Sequence, residues 1–255
     1  MREAPGAGPE LRELAAVRAR IGARMADVGR SIAVMSGKGG VGKSLVAVQL
    51  ALALARRGLR VALLDADLNS PSVAKMLGLR GQPLRVTEAG LRPIPGPLGI
   101  AVQSMDFFLQ GEQPLAWEGS EGEGSPWRSA LEDAALADLL GETEWGPCDV
   151  LLVDLAPGPD RLPALAPLLP SLAGALAVTI PTEVSLLSVE RSVRRAHEAR
   201  IALLGLVENL GSSVCGHCGG EGPSDSWASA TTPTGTAAPA AGATLPASVA
   251  ARRVG

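Results

Sequence analysis

Short apolar runs alternate with longer segments of helical character along most of this chain. Each run is almost continuous in apolar side chains, which is typical of a strand buried on both faces. The runs are residues 31–35, 60–65, 99–104, 149–154, 174–180 and 201–208. Helices are predicted between them at residues 45–57, 71–77 (capped by Ser70), 129–140 and 184–200. Because strands that alternate with helices form a parallel sheet covered by helices, the pattern predicts an α/β fold with three layers.

The two ends of the chain follow a different pattern. Residues 1–30 form an N-terminal extension with one short amphipathic helix, which we expect to pack on the domain or, alternatively, to bind a partner. Its apolar positions at helical spacing are Leu11, Leu14, Val17 and Ile21. Residues 219–255 have few large apolar side chains and predict a flexible tail, and residues 111–125 predict an exposed loop. The predicted folded domain is therefore residues 31–218.

The composition argues against several classes of function. The chain has 255 residues and a net charge of −3, and 2% of its residues are aromatic. We therefore expect no nucleic-acid partner. No apolar run reaches the ~20 residues of a membrane-spanning helix, and the N-terminal segment lacks the apolar core of a signal peptide. We expect no membrane association and a cytoplasmic protein, in which the three cysteines are thiols or metal ligands.

Between the first predicted strand and the first predicted helix, the chain carries the pattern G-x-x-x-x-G-K-S. Its residues are Gly37, Lys38, Gly39, Gly40, Val41, Gly42, Lys43 and Ser44. Glycines let backbone N–H groups surround phosphate oxygens, and the helix that follows presents its positive end to them. Lys43 is expected to reach the β- and γ-phosphates, and the Ser44 hydroxyl to bind Mg²⁺. The pattern predicts the phosphate-binding loop of a P-loop NTPase fold; a plain Gly-rich turn is the alternative.

Polar side chains end three of the predicted strands. Asp65 and Asp67 end the second strand, Asp154 ends the fourth, and Asn209 follows the last. The carboxyl ends of parallel strands face the ligand crevice, so the three carboxylates can hold Mg²⁺ and position water beside a phosphate. Asn209 can hydrogen-bond the edge of a base. Turn-forming roles are the alternative for Asp65, Asp67 and Asn209, and a plain strand-ending carboxylate is the alternative for Asp154.

Cys215 and Cys218 form a C-x-x-C pattern with a glycine between them. Two thiolates on one tight turn can bind one metal ion, but zinc and iron–sulfur clusters generally need four ligands. The chain has no second pair of this kind, so the other ligands have to come from another subunit. Free thiols or a redox pair are the alternatives. Cys148 is expected to pack in the core, and His197 to face solvent.

Taken together, these residues resemble the Mrp/ApbC family of iron–sulfur cluster carrier ATPases. The matching motifs are residues 36–44, 64–67, 71–72, 104–105, 152–155, 157–158, 207–209 and 215–219. The cysteine turn is the most discriminating of them, because the related partition and cell-division ATPases lack it. The resemblance implies slow ATP hydrolysis with Mg²⁺. It also implies a homodimer that holds a [4Fe–4S] cluster through Cys215 and Cys218 of both copies and passes it to apo-proteins.

The resemblance also implies roles for single residues. Lys38 resembles the second lysine of the deviant P-loops of the MinD class, which completes the nucleotide site of the partner subunit. Lys38, Lys43 and Asp67 are therefore the expected catalytic residues, with Asp67 orienting the attacking water. Asp65 and Asp154 are expected to bind the nucleotide-associated Mg²⁺, and Asn209 to contact adenine.

The chain departs from the family pattern at several positions. Leu45 stands where the family usually has threonine, which removes a hydroxyl contact to the α-phosphate. The second switch segment, residues 156–160, has a proline that the family pattern lacks, and it lacks one of the glycines of that pattern. Residues 69–72 also differ from the family pattern. These changes bear on the rate of hydrolysis more than on nucleotide binding. A ParA/MinD-like positioning ATPase and a nucleotide-binding scaffold without turnover stay open as alternatives.

Overall fold

The computed structural model describes residues 9–108, 126–211, 213–214 and 221–222. The strands are β1 (Val28–Ser36), β2 (Val61–Ala66), β3 (Arg85–Val86), β4 (Leu91–Arg92), β5 (Ile94–Pro95), β6 (Ala101–Ser104), β7 (Cys148–Leu155), β8 (Leu172–Thr179), β9 (Leu203–Glu208), β10 (Ser213–Val214) and β11 (Glu221–Gly222). The helices are α1 (Pro9–Arg24), α2 (Lys43–Arg56), α3 (Val73–Met76), α4 (Pro126–Glu142), α5 (Arg161–Leu165) and α6 (Glu183–Glu198).

The central sheet has the strand order β5–β6–β2–β7–β1–β8–β9. Each neighbouring pair is parallel except β5–β6. The six predicted strands correspond to β1, β2, β6, β7, β8 and β9, with ends that differ by three residues or fewer. Strand β5, which the sequence pattern does not predict, is a two-residue edge strand, where its Pro95 is tolerated. The predicted fold class, a mostly parallel sheet flanked by helices, is confirmed.

The helices cover the sheet on two faces. Adjacent residues of a strand point to opposite faces, so Leu63 and Leu64 of β2 pack in two different cores. The Leu64 face is covered by helices that contribute Ile21, Leu140, Leu162 and Val189, which belong to α1, α4, α5 and α6. The Leu63 face is covered by α2 and α3. Strand β2 and most of β1 and β7 are therefore buried on both sides. The expectation is wrong for β9, which has no buried residue because it lies at the edge of the sheet.

The N-terminal helix belongs to the same body as the sheet. Ile21 of α1 and Met25 after it are buried in the core, and α1 packs along α4. Arg20 forms ion pairs with Asp138 and Glu142 of α4, each at 2.8 Å. Since β1 already begins at Val28, the boundary predicted after residue 30 falls inside this strand.

The helix predicted at residues 71–77 is shorter than expected, and its predicted cap at Ser70 is wrong. Helix α3 begins at Val73, with Ser72 in the capping position. The backbone N–H groups of Ser72 and Val73 donate to Oδ2 of Asp65, at 2.9 and 3.0 Å. The carboxylate of Asp65, in the preceding strand β2, therefore takes the place of a serine side-chain cap, and the helix begins at the backbone groups that this carboxylate binds.

The predicted exposed loop, residues 111–125, lies outside the described residues, and so does most of the predicted tail. Within the described ranges, no helix combines the length and the hydropathy that crossing a membrane requires.

Helix α6 passes directly over the end of β1. A Cβ atom added at Gly37 would lie 2.2 Å from the carbonyl carbon of Ser188 and 2.4 Å from the backbone nitrogen of Val189. Backbone atoms cannot yield as a flexible side chain can, so this close approach requires glycine. The start of the glycine loop is thereby fixed against α6.

We predict that Gly37→Ala lowers the free energy of unfolding by about 1–3 kcal/mol, because the added methyl group overpacks this contact. Urea unfolding monitored by circular dichroism measures the change. Gly39→Ala is the matched control, since a Cβ at Gly39 meets nothing within 4 Å. The control should stay within about 0.5 kcal/mol of the parent chain. Equal stability of both variants would contradict the packing argument.

Candidate nucleotide-binding site

The glycine loop joins the end of β1 to the start of α2. Gly40 and Gly42 have φ values of 78° and 81°, a left-handed conformation that favours glycine. Gly42 is also the residue that caps α2, so the N-terminus of this helix opens onto the loop. Above the loop lies an open cleft of about 750 Å³. The predicted site residues that line it are Lys38, Gly39, Gly40, Gly42, Lys43, Ser44 and Asp67.

A buried ion pair forms the floor of the site. Nζ of Lys43 donates to Oδ1 of Asp154 at 2.5 Å and to Oγ of Ser44 at 3.3 Å. The two charged side chains are 7% and 0% exposed. Burial raises the pKa of Asp154, while the Lys43 ammonium and the Ser44 hydroxyl act in the opposite direction. Parallel pairing places Asp154 beside Val34 of β1, directly under the loop that carries Lys43.

The second oxygen of Asp154 supports the expectation of a magnesium site. Oδ2 of Asp154 is buried and has no hydrogen-bond partner among the described residues. An anionic oxygen next to a serine hydroxyl is a donor set that Mg²⁺ prefers. These residues therefore fit a magnesium ion held by Ser44 and Asp154.

Asp65 is fully buried, and its carboxylate organises the segment that follows β2. Besides capping α3, Oδ2 accepts from the Ser104 hydroxyl at 3.2 Å, and Oδ1 accepts from the backbone N–H of Asp67 at 3.3 Å. Burial, with a further contribution from the charge of Asp154, raises the pKa of Asp65 to about 7. In this arrangement Asp65 orders the loop that carries Asp67; its contact with a metal ion stays a prediction.

Asp67 lies at the edge of the cleft. Its Oδ1 accepts from the backbone N–H of Ser70 at 3.2 Å, which orients the carboxylate. Its negative charge contributes to the raised pKa of Asp154, so the two carboxylates share one electrostatic environment. The structure thus brings Asp65, Asp67 and Asp154 together at one edge of the sheet.

Asn209 contacts the glycine loop from behind. Its Nδ2 donates to the carbonyl oxygen of Val41 at 3.0 Å, and its backbone N–H donates to Thr179 at 2.8 Å. A Cβ atom at Gly42 would lie 2.2 Å from this Nδ2. Asn209 therefore holds the loop in place, a role that the sequence analysis did not assign, and its contact with adenine stays a prediction.

Two further residues contribute to the site: Ser104, to which the sequence analysis assigned no role, and Gly158, which it placed in the second switch segment. Ser104 ends β6 in register with Asp65, and its hydroxyl binds that carboxylate. Gly158 has a φ of 126° and donates its backbone N–H to Ser36 at 3.0 Å, which joins the segment after β7 to the end of β1. A polar residue at the end of a buried strand was the available signal for Ser104.

The predicted metal-binding cysteines lie outside the described residues. Cys215 and Cys218 fall in the segment that connects β10 to β11, and these two strands pair antiparallel. Within the described ranges, no group of three or more His, Cys, Asp and Glu side chains is arranged to hold a metal ion. Cys148 is buried in the core, as expected, and burial raises its pKa to about 11. His197 is exposed, also as expected.

The site has a glycine loop between a parallel strand and a helix, and the lysine of this loop is paired to an aspartate at the end of a strand. This arrangement defines the site of a P-loop NTPase. Residues 27–224 match the family model described as ParA, NUBPL iron-transfer P-loop NTPase. The chain belongs to this family. The resemblance to iron–sulfur cluster carrier ATPases is thereby confirmed.

Individual relatives agree with this membership. The chain is 40% identical over 205 residues to an iron–sulfur cluster carrier protein of Saccharolobus solfataricus, covering 80% of this chain and 66% of the relative. It is 37% identical over 200 residues to a cytosolic Fe–S cluster assembly factor NUBP1 homologue of Brugia malayi, covering 76% and 62%. The chain thus spans just under two thirds of the length of these relatives.

A solved structure supports the same fold. A nucleotide-binding protein of Archaeoglobus fulgidus, determined in complex with ADP and with cobalt, is 33% identical to this chain. The two superpose with a TM-score of 0.66, over 81% of this chain and 76% of the other.

We predict that Lys43→Ala lowers the free energy of unfolding by about 3–5 kcal/mol without nucleotide, because it leaves the buried Asp154 carboxylate unpaired. Urea unfolding measures this loss. The double variant Lys43→Ala/Asp154→Ala should lose less than the sum of the two single variants, since it leaves no unpaired charge. Lys38→Ala removes a half-buried lysine from the same loop and should stay within about 1 kcal/mol of the parent chain. Unchanged stability of Lys43→Ala would argue against a structural role for the pair.

Proposed function

We propose that this protein is an ATP-dependent iron–sulfur cluster carrier. The observation that carries the proposal is the position of the cysteine pair relative to the nucleotide site. Cys215 follows Asn209 by six residues, and Asn209 is hydrogen-bonded to Val41 of the glycine loop. Six residues span at most about 22 Å, so Cys215 is tethered within this distance of the residue that contacts the phosphate-binding loop, and Cys218 follows three residues later.

The geometry of the cleft supports binding of ATP. Lys43 is the cation for the β- and γ-phosphates, and the N-terminus of α2 supplies backbone N–H groups to them. Ser44 and Asp154 hold Mg²⁺, which neutralises charge on the phosphates when it is bound. Asp67 lies at the edge of the same cleft, where it positions the attacking water. Lys38 also lines the cleft and completes the site of a second copy.

The cluster is the cargo of this carrier. Two cysteines supply half of the ligands that a [4Fe–4S] cluster needs, so two copies of the chain share one cluster through Cys215 and Cys218. Several relatives are named iron–sulfur cluster carrier proteins, which supports transfer of the cluster to apo-proteins. The Brugia malayi relative is named a cytosolic assembly factor, which supports a cytoplasmic location.

Asn209 is the proposed link between cargo and nucleotide. It is the first residue after β9 on the way to the cysteines, and its side chain also holds the carbonyl group of Val41. A change in the conformation of the glycine loop on nucleotide binding therefore alters the bond to Asn209, which anchors the segment that carries the cysteines. Coupling of this kind requires that ATP and ADP favour different geometries of the two copies.

We predict that anaerobic reconstitution with iron and sulfide yields a dimer with about four irons and a broad absorbance near ~400 nm. Cys215→Ser/Cys218→Ser should lose both the iron and the absorbance. Cys148→Ala is the matched control and should retain them, since this third cysteine is buried in the core. Sedimentation velocity measures the oligomeric state. A monomer without iron, or a cluster that persists in the double variant, would refute the carrier proposal and leave a nucleotide switch.

We predict that Asp67→Asn lowers the rate of Mg²⁺-dependent phosphate release by about a hundredfold or more, because it removes the carboxylate that positions water. Affinity for ATP should stay within about threefold, since Asp67 does not hold the phosphates. A coupled phosphate assay and a fluorescent nucleotide measure the two quantities. Ser70→Ala is the control, because the backbone N–H that binds Asp67 is kept. An unchanged rate in Asp67→Asn would exclude this role.

A further inference from the structure

Glu132 of α4 binds two loops that flank the nucleotide cleft. Its side chain is 8% exposed. Oε1 accepts from Nδ2 of Asn69 at 2.7 Å, and Oε2 pairs with Nη2 of Arg161 at 2.5 Å. Asn69 lies two residues beyond Asp67, and Arg161 opens α5 directly after residues 156–160. One buried carboxylate therefore joins the loop after β2 to the loop after β7.

The surroundings of Glu132 make these contacts necessary. Glu132, Asn69 and Arg161 line a small cavity whose other walls are mainly apolar, formed by Leu68, Leu136, Leu155 and Leu165 among others. A carboxylate in such a place is costly unless a cation and hydrogen-bond donors satisfy it. Release of either loop would leave Glu132 without one of its partners. The positions of the two loops are thus energetically dependent on each other.

Both loops are also tied to the nucleotide site. The first carries Asp67 and is ordered by the bonds from Ser72 and Val73 to Asp65. The second carries Pro157, which lines the cleft, and Gly158, which is bonded to Ser36 at the start of the glycine loop. A displacement of one loop at the cleft therefore reaches Glu132 through fewer than ten residues of chain.

We propose that Glu132 is a positioning residue that couples the two loops, so that nucleotide in the cleft shifts them together and not one at a time. Both partners of Glu132 lie at departures from the family pattern. Asn69 belongs to the first departure, residues 69–72, and Arg161 directly follows the second, residues 156–160. The proposal rests on nucleotide binding at the cleft, but the bridge itself can be tested without nucleotide.

The test is hydrogen exchange of the full chain without nucleotide, read at amides on the far side of the bridge. Arg161→Ala should raise exchange at the amides of Ser72 and Val73 about tenfold, and Asn69→Ala should raise exchange at the amide of Ala164 by a similar factor. Asn69 is exposed, so its variant keeps the test open if Arg161→Ala fails to fold. Unchanged exchange across the bridge in Asn69→Ala would overturn the proposal.

The matched control is Arg195→Ala. Arg195 of α6 pairs with Asp160, the neighbour of Arg161, and with Glu198, so its ion pairs lie beside the bridge and not within it. Its loss should leave exchange at Ser72 and Val73 within about twofold of the parent chain. An equal rise in this control would mean general loosening of α5 and would overturn the coupling.

A second arm adds Mg²⁺ and ATP to the parent chain and to Glu132→Gln, which keeps an acceptor for Asn69 but loses the charge that pairs with Arg161. ATP should slow exchange in the two loops of the parent chain by similar factors, and in the two loops of the variant by clearly different factors. Equal slowing of the two loops in the variant would overturn the proposal. Absence of any ATP effect in the parent chain would contradict nucleotide binding, while the exchange measured without nucleotide would still decide the bridge.

Discussion

The buried ion pair between Lys43 and Asp154 is the interaction on which the site depends. Two charges with almost no exposure lie at the boundary between the glycine loop and β7. An apolar pair of similar volume would stabilise such a position as well or better, so burial of charge is not explained by stability alone. It is explained by ligand binding, because the lysine that neutralises Asp154 is the group that a phosphate needs. The fold thus positions the Lys43 ammonium group for a phosphate in a low-dielectric environment.

The parallel sheet explains why the other polar groups meet there. Registration of β2 with β7 sets Asp65 beside Asp154, and registration of β2 with β6 sets Ser104 beside Asp65. The strand order places β1, with the glycine loop at its end, next to β7. Residues far apart in the chain thus reach one edge because their strands end at the same level. Short loops are then long enough to surround the cleft.

The strands and the phosphate-binding loop could be predicted from the sequence because their signals are local. Apolar runs identify buried strands, and the spacing of glycines and lysine identifies the loop. The cap of α3 could not be predicted in the same way, since Asp65 supplies it from the neighbouring strand and Ser70 is the nearer candidate. The bond of Asn209 to Val41 joins residues 168 positions apart. Glu132 likewise lies within an ordinary helix pattern, and only the packed structure gives it partners.

The charges of the site link nucleotide and metal to each other under the proposed function. Burial and the charge of Asp154 raise the pKa of Asp65 to about 7, so the low-dielectric site disfavours further negative charge. When phosphate oxygens take Lys43, Asp154 loses its partner while it remains buried. A divalent cation held by Ser44 and Asp154 restores the balance. Binding of ATP and of Mg²⁺ therefore favour each other by the same free energy, as linkage requires. We propose that the loops that carry Asp67 and Gly158 respond to this combined change in charge, since Asp67 is bonded to Asp65, which faces Asp154, and Gly158 is bonded to Ser36, which lines the cleft.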